Sequence, residues 1–170
     1  LNYGTSMAAP VITGVTALLQ EDYRKLYAGA NAKAGLLKAL MCNTADDLGN
    51  PGPDYTYGFG MLNAGKAAKA LEDNRYFSNS IATTQNHAYN IVVPAGARRL
   101  KVMLVWADHP ATANASVTLV NDLDLTVTEP SSLVHLPLVL NPVLVTNIAT
   151  EGADHTNNME QVVINNPVAG

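Results

Sequence analysis

The sequence predicts an α+β chain, with helices over residues 1–75 and an antiparallel β-sandwich over 76–170. Three observations carry this. Up to about residue 75, apolar residues recur at helical spacing between Gly- and Pro-rich loops. From about Tyr76 onward the apolar period changes to two, with turn residues between short runs. The composition is 48% apolar and only 14% charged, which argues for a buried core and against disorder.

The first helix is expected over 6–23. Met7, Val11, Val15, Leu18 and Leu19 form its main stripe, and Ala8, Ala9, Ile12 and Ala17 fill the other sides. A helix apolar nearly all round belongs inside a large core and is too apolar to stand in water alone. Pro10 is expected in the first turn, where N–H groups have no partner, and Thr5 or Ser6 is expected to cap that end. A second helix over 32–43 sets Leu36, Leu37, Leu40 and Met41 on one face. The run "DDLGNPGPDYTYGFG" reads as a loop, after which Asn63 caps a third helix, "AGKAAKALED".

In the second half, alternation runs through Tyr89, Ile91 and Val93, then Leu100, Val102, Leu104 and Trp106. It continues through Val117, Leu119, Leu123, Leu125 and Val127, with further strands expected over 134–140, 144–148 and 161–164. "PAGA" has turn chemistry. The final "NNPVAG" also reads as a turn, so the sandwich is expected to lack its last strand and the chain to be a fragment.

A net charge of -4 gives no electrostatic footprint for nucleic acid. The longest apolar run, "LVHLPLVLNPVLV", is broken by Pro137 and Pro142, so no membrane span is expected. Cys42 is the only cysteine and sits in an apolar helical pattern, as a small buried hydrophobe would. No zinc spacing, phosphate loop or paired-cysteine redox motif is present.

The string "YGTSMAAP", Tyr3 to Pro10, carries the chemistry. Ser6 stands at a helix N-terminus, in the positive end of the macrodipole. Its own amide is the natural oxyanion donor. Gly4 lets the backbone turn, Thr5 completes the loop, and Ala8 and Ala9 leave room around the hydroxyl. A plain N-cap serine is the competing reading. "GTSMAAP" resembles the serine motif of the subtilisin-like proteases. "GTSMAAPVITGVTALLQ", "LLKALMCNTADDLG" and "YGFGMLNAGKAAKAL" resemble successive C-terminal elements of that catalytic domain. "RLKVMLVWADHPATANASVTLVNDLDLTV" and "DHTNNMEQVVI" are similar to the jelly-roll domain that follows it in some subtilases.

This resemblance implies that residues 1–75 are an incomplete C-terminal portion of a subtilisin-like α/β domain and 76–170 a jelly roll. It implies a secreted or otherwise exocytoplasmic serine endopeptidase that hydrolyses polypeptides through an acyl-enzyme on Ser6. Gly4, Thr5 and Ser6 would shape the oxyanion loop. The triad order Asp, His, Ser places both partners upstream of Ser6. The chain is therefore expected to be inactive alone and to need the missing N-terminal part of the domain. His87, His109, His135 and His155 all fall in the β-rich half, where none is expected to serve Ser6. The competing expectation is a non-enzymatic β-sandwich module that stabilises a protease or binds protein or glycan.

A second candidate is calcium. Asp108, Asn121, Asp122 and Asp124 offer hard oxygen donors, and Asp122 and Asp124 share one strand face. The alternative is a solvated strand face with Asp108 capping a turn. Asp154, Asn158 and Glu160 form a weaker group that reads as structural.

Overall fold

The computed structural model describes residues 4–170; Leu1, Asn2 and Tyr3, and with Tyr3 the start of the serine string, lie outside the described residues. The elements run α1 (Thr5–Leu26), α2 (Ala34–Thr44), α3 (Ala64–Glu72), β1 (Arg99–Val105), β2 (Val127–Thr128), β3 (Val134–His135), β4 (Leu138–Val139), β5 (Thr150–Glu151) and β6 (Met159–Asn165). The chain is thus α+β. Among the described residues, strands pair only two by two: β1 with β6, β2 with β3 and β4 with β5, all antiparallel. No closed sandwich forms from them.

The helical half follows its apolar pattern. Leu19 of α1, Leu37 and Leu40 of α2, and Ala67 and Leu71 of α3 make one core, with Val15, Tyr23 and Tyr76 packed against it. Each fully buried leucine contributes about 1.5–3 kcal/mol by leaving water. Asn63 caps α3 as expected, its side chain accepting from Lys66 N at 2.9 Å. Lys66 Nζ and Asn63 Nδ2 both donate to Asp46, tying the start of α3 to the segment after α2.

Three expectations about α1 are corrected. The helix is not buried all round: every residue from 4 to 14 is exposed, and Val11 keeps 60% of its surface. The part of α1 from Val15 onward packs against the core it shares with α2 and α3. The N-cap is Gly4, with no side-chain cap bond, so neither Thr5 nor Ser6 caps the helix. Because the helix begins at Thr5, Pro10 lies beyond the first turn. Its missing N–H removes the α-helical partner of the Ser6 carbonyl.

The β half departs further from its pattern. Residues 89–93, 117–125 and 144–148 have no ladder, although each has the alternation of a strand. Period two reports which side chains turn inward, not whether the backbone finds a partner. Leu123, Leu125 and Val127 are half-buried while Asp122, Asp124 and Thr126 are exposed, so the alternation of faces persists without a ladder. Val93 instead exchanges two backbone hydrogen bonds with Gly170, of 2.7 and 3.1 Å.

The two halves touch. Asn43 of α2 donates to the carbonyl of Lys101 at 3.1 Å and accepts from Gln161 at 3.0 Å. Lys101 Nζ donates to the Ala45 carbonyl at 3.0 Å, and burial pushes its pKa down. With α2 against it, β1 is half-buried at each position from Leu100 to Val105 instead of alternating.

Between α2 and α3, backbone bonds pair Asp46 with Met61 and Asp54 with Gly58. The Asp54 carboxylate accepts from Tyr57 N at 2.6 Å, Thr56 N at 2.8 Å and Asn50 N at 3.0 Å. These bonds, the one from Tyr57 foremost, hold its pKa below the ordinary carboxylate value despite desolvation.

Candidate functional site: a serine at a helix start

Gly4 sets the geometry at Ser6. Its φ of 149° and ψ of 169° put the chain in a conformation that side-chain-bearing residues rarely adopt. The Gly4 carbonyl accepts from Met7 N at 2.9 Å and Ala8 N at 3.2 Å, which closes the first turn. The amides of Thr5 and Ser6 are then the two helix donors with no partner among the described residues. They lie at the positive end of a 22-residue dipole. Ser6 is exposed, and its Oγ makes no hydrogen bond among the described residues. An oxygen carrying developing negative charge beside Ser6 would meet an unused N–H in a favourable field.

Three of the four histidine rings have partners elsewhere, and His109 is held through its backbone. His87 Nδ1 lies 3.4 Å from the Tyr89 hydroxyl, and His135 lies between Glu151 at 3.0 Å and Glu129 at 3.5 Å. His155 Nδ1 is 2.7 Å from Asp122 Oδ2. The amide of His109 donates to Asp108 at 2.9 Å. None is a hydrogen-bond partner of Ser6.

The acidic quartet divides in two. Asp108 accepts from Val120 N at 2.7 Å, Asn121 N at 3.0 Å and Asn121 Nδ2 at 2.7 Å. Burial pushes its pKa up, but the hydrogen bonds from Val120, Asn121 and His109 outweigh that and hold it low. Asp108 and Asn121 therefore fasten a turn, with the Asn121 carbonyl accepting from the Trp106 indole at 2.9 Å. Asp122 and Asp124 stand apart from that turn and meet His155 instead. Sequence reasoning missed His155 because 33 residues separate it from Asp122 and no local pattern links them.

The weaker group is mostly structural. Asp154 fastens its own loop, accepting from Thr156 N at 2.9 Å and Asn157 Nδ2 at 2.7 Å. Asn158 donates to the Trp106 carbonyl at 3.1 Å. Glu160 is different. It is 3% exposed, one oxygen accepts from Leu125 N at 2.6 Å, and the other is buried without a partner among the described residues.

Comparison with known proteins bears on the helical half. The model of the Subtilase family, Peptidase_S8, matches residues 1–60. The neisserial autotransporter lipoprotein NalP of Neisseria meningitidis is 42% identical over 64 residues, covering 38% of this chain and 5% of its own length. Fervidolysin of Fervidobacterium pennivorans is 41% identical over 59 residues, covering 35% of this chain and 8% of its own. A longer match, to the serine protease/ABC transporter B family protein tagD of Dictyostelium discoideum, is 26% identical over 76% of this chain and 10% of that protein. The chain thus spans a small part of the length of each relative.

Proposed function

We propose that this chain, whose residues 1–60 are a segment of the subtilase family, supplies the nucleophile of a serine endopeptidase. Ser6 Oγ attacks the carbonyl carbon of a peptide bond, its proton passing to a general base, and an acyl-enzyme forms as the amine leaves. The Ser6 amide donates to the oxyanion, and Gly4 and Thr5 hold the loop that presents it. The supporting observation is an exposed Ser6 at the start of a long helix, its amide and hydroxyl without a partner among the described residues. A capping serine would have spent its oxygen on the helix.

The base and its orienting carboxylate come, on this reading, from subtilase segments outside the chain. All four histidines lie in the β-rich half and none bonds Ser6. The chain alone is therefore inactive. Residues 1–75 act as the C-terminal portion of the catalytic domain, and 76–170 act as a jelly-roll-type β domain that steadies it. The bonds from Asn43 to Lys101 and from Gln161 to Asn43 favour that supporting role. Substrates are polypeptides, and the full-length enzyme works outside the cytoplasm, as the printed name of the autotransporter relative suggests.

The test is peptidase activity of a polypeptide joining this chain to the Asp- and His-bearing upstream segments. Hydrolysis of a casein substrate that Ser6→Ala lowers by about 10⁴-fold or more is expected, since triad members act as a unit. Undiminished hydrolysis by the Ser6→Ala protein would overturn the assignment.

A further inference from the structure

From Val102 to its last residue the chain has seven Asp and Glu residues and no Lys or Arg. Side-chain positive charge in that stretch has to come from an imidazole. Of the histidines, His135 alone has a carboxylate at each ring nitrogen. Its Nδ1 lies 3.0 Å from Glu151 Oε1, and its Nε2 lies 3.5 Å from Glu129 Oε1. The two carboxylates come from different ladders. Glu129 follows β2 and closes the turn to β3, its amide donating to the Leu133 carbonyl at 2.9 Å. Glu151 ends β5, and its second oxygen accepts from the amide of Leu136 at 3.3 Å. Only Leu136 and Pro137 separate β3 from β4. At that joint the Gly152 amide also donates to the Pro137 carbonyl at 2.9 Å. The His135 and Glu129 side chains keep 14% and 12% of their surface, too little for water alone to carry their charges. Nε2 itself is buried and has no hydrogen-bond partner among the described residues.

We propose that His135 is a proton-controlled clasp: with its ring charged it holds the β2–β3 hairpin against the β4–β5 ladder, and with its ring neutral it lets the two part. The reason lies in the chemistry of imidazole. The charged ring has an N–H on both nitrogens, so it can point a donor at each carboxylate. The neutral ring has one N–H and one lone pair, so either tautomer turns a lone pair toward a carboxylate. With the proton on Nδ1, Glu129 is left in a nearly closed site without a cation, and an uncompensated buried charge is costly. With the proton on Nε2, the Nδ1 lone pair faces Glu151 across 3.0 Å. Ser131 Oγ donates to Glu129 Oε2 at 3.3 Å, but a hydroxyl is neutral and does not replace the charge. The charged groups that face the ring, Glu129 after β2 and Glu151 of β5, are both negative. Passage of the ring proton to water therefore weakens the tie, and the tie is lost as pH rises.

The test follows the ring and the joint together in the full chain, isotope-labelled for nuclear magnetic resonance. The His135 ring signals give the pH interval in which the ring loses its proton. Exchange at the Leu136 and Gly152 amides, corrected for intrinsic rate, reports the joint between the ladders. Protection of these amides is expected to fall about fivefold or more within that same interval. The fall should vanish in His135→Gln and shrink in Glu129→Gln, which removes the stranded charge. It should persist in His155→Gln, whose ring pairs with Asp122 instead. Circular dichroism checks that each variant is folded, and the match between ring and amides in the parent decides the matter without any variant. Protection that stays level while the ring titrates would overturn the proposal. So would a fall that survives in His135→Gln, or one that disappears equally in His155→Gln.

Discussion

Replacing Gly60 by alanine places a methyl carbon where the backbone of Asp46 already stands. An added Cβ overlaps the Asp46 carbonyl oxygen and comes to 2.8 Å from its carbonyl carbon and 2.9 Å from Asp47 Cα. These are backbone atoms, which cannot swing aside as a side chain can. The residue also sits at φ +102°, which costs a side-chain-bearing residue about 1–2 kcal/mol. Relief of the overlap separates Asp46 from Met61 and breaks both 2.8 Å bonds of their bridge, at about 1 kcal/mol each. The expected loss is about 3–4 kcal/mol. Gly58 is the internal control: its φ is +60°, but nothing lies within 4 Å of an added Cβ. Gly58→Ala should cost about 1 kcal/mol, the backbone strain alone. Urea unfolding of the two variants measures the gap, provided the slope is unchanged. A Gly60→Ala protein within about 0.5 kcal/mol of Gly58→Ala would refute the steric argument.

Other outcomes follow from the same geometry. Leu71→Ala empties a site that is fully buried among the three helices and should cost about 3–4 kcal/mol, read as a lower urea midpoint. Asn63→Ala removes the cap of α3 and should cost about 1 kcal/mol, with faster hydrogen exchange at Lys66 N. Asp54 is a depressed acid, so its stabilising effect is present above its ordinary value of 3.8 and is lost as pH falls through its lower folded value. Exchange at the amides of Tyr57 and Thr56, corrected for intrinsic rate, should therefore accelerate only in that acid range, and Asp54→Asn should abolish the transition. Acceleration near neutral pH would contradict the assignment.

The helices and the serine string were legible in the sequence because their signals are local. Asn63 was placed at its cap, and α2 and α3 fell where apolar spacing put them. Burial of α1 was overestimated because an all-round apolar pattern states what a helix needs, not which neighbours this chain provides. Strand pairing was the least legible feature. Leu123 and Leu125 do turn inward, but pairing depends on a second segment that alternation cannot name. The acidic cluster was half legible for the same reason. Asp122 and Asp124 share a face by period two, whereas the contact with His155 and the withdrawal of Asp108 into a turn are products of the tertiary fold.

The central claim is that Ser6 is a subtilase nucleophile whose base lies outside this chain, and covalent labelling tests it most directly. A fluorophosphonate probe is added to this chain alone and to the polypeptide that joins it to the upstream Asp- and His-bearing segments, and the modified residue is mapped by mass spectrometry. The account predicts phosphonylation at Ser6 in the joined polypeptide, none after Ser6→Ala, and no modification of the chain alone. Equal labelling of Ser6 in the isolated chain, or labelling of the joined polypeptide at another residue, would contradict it.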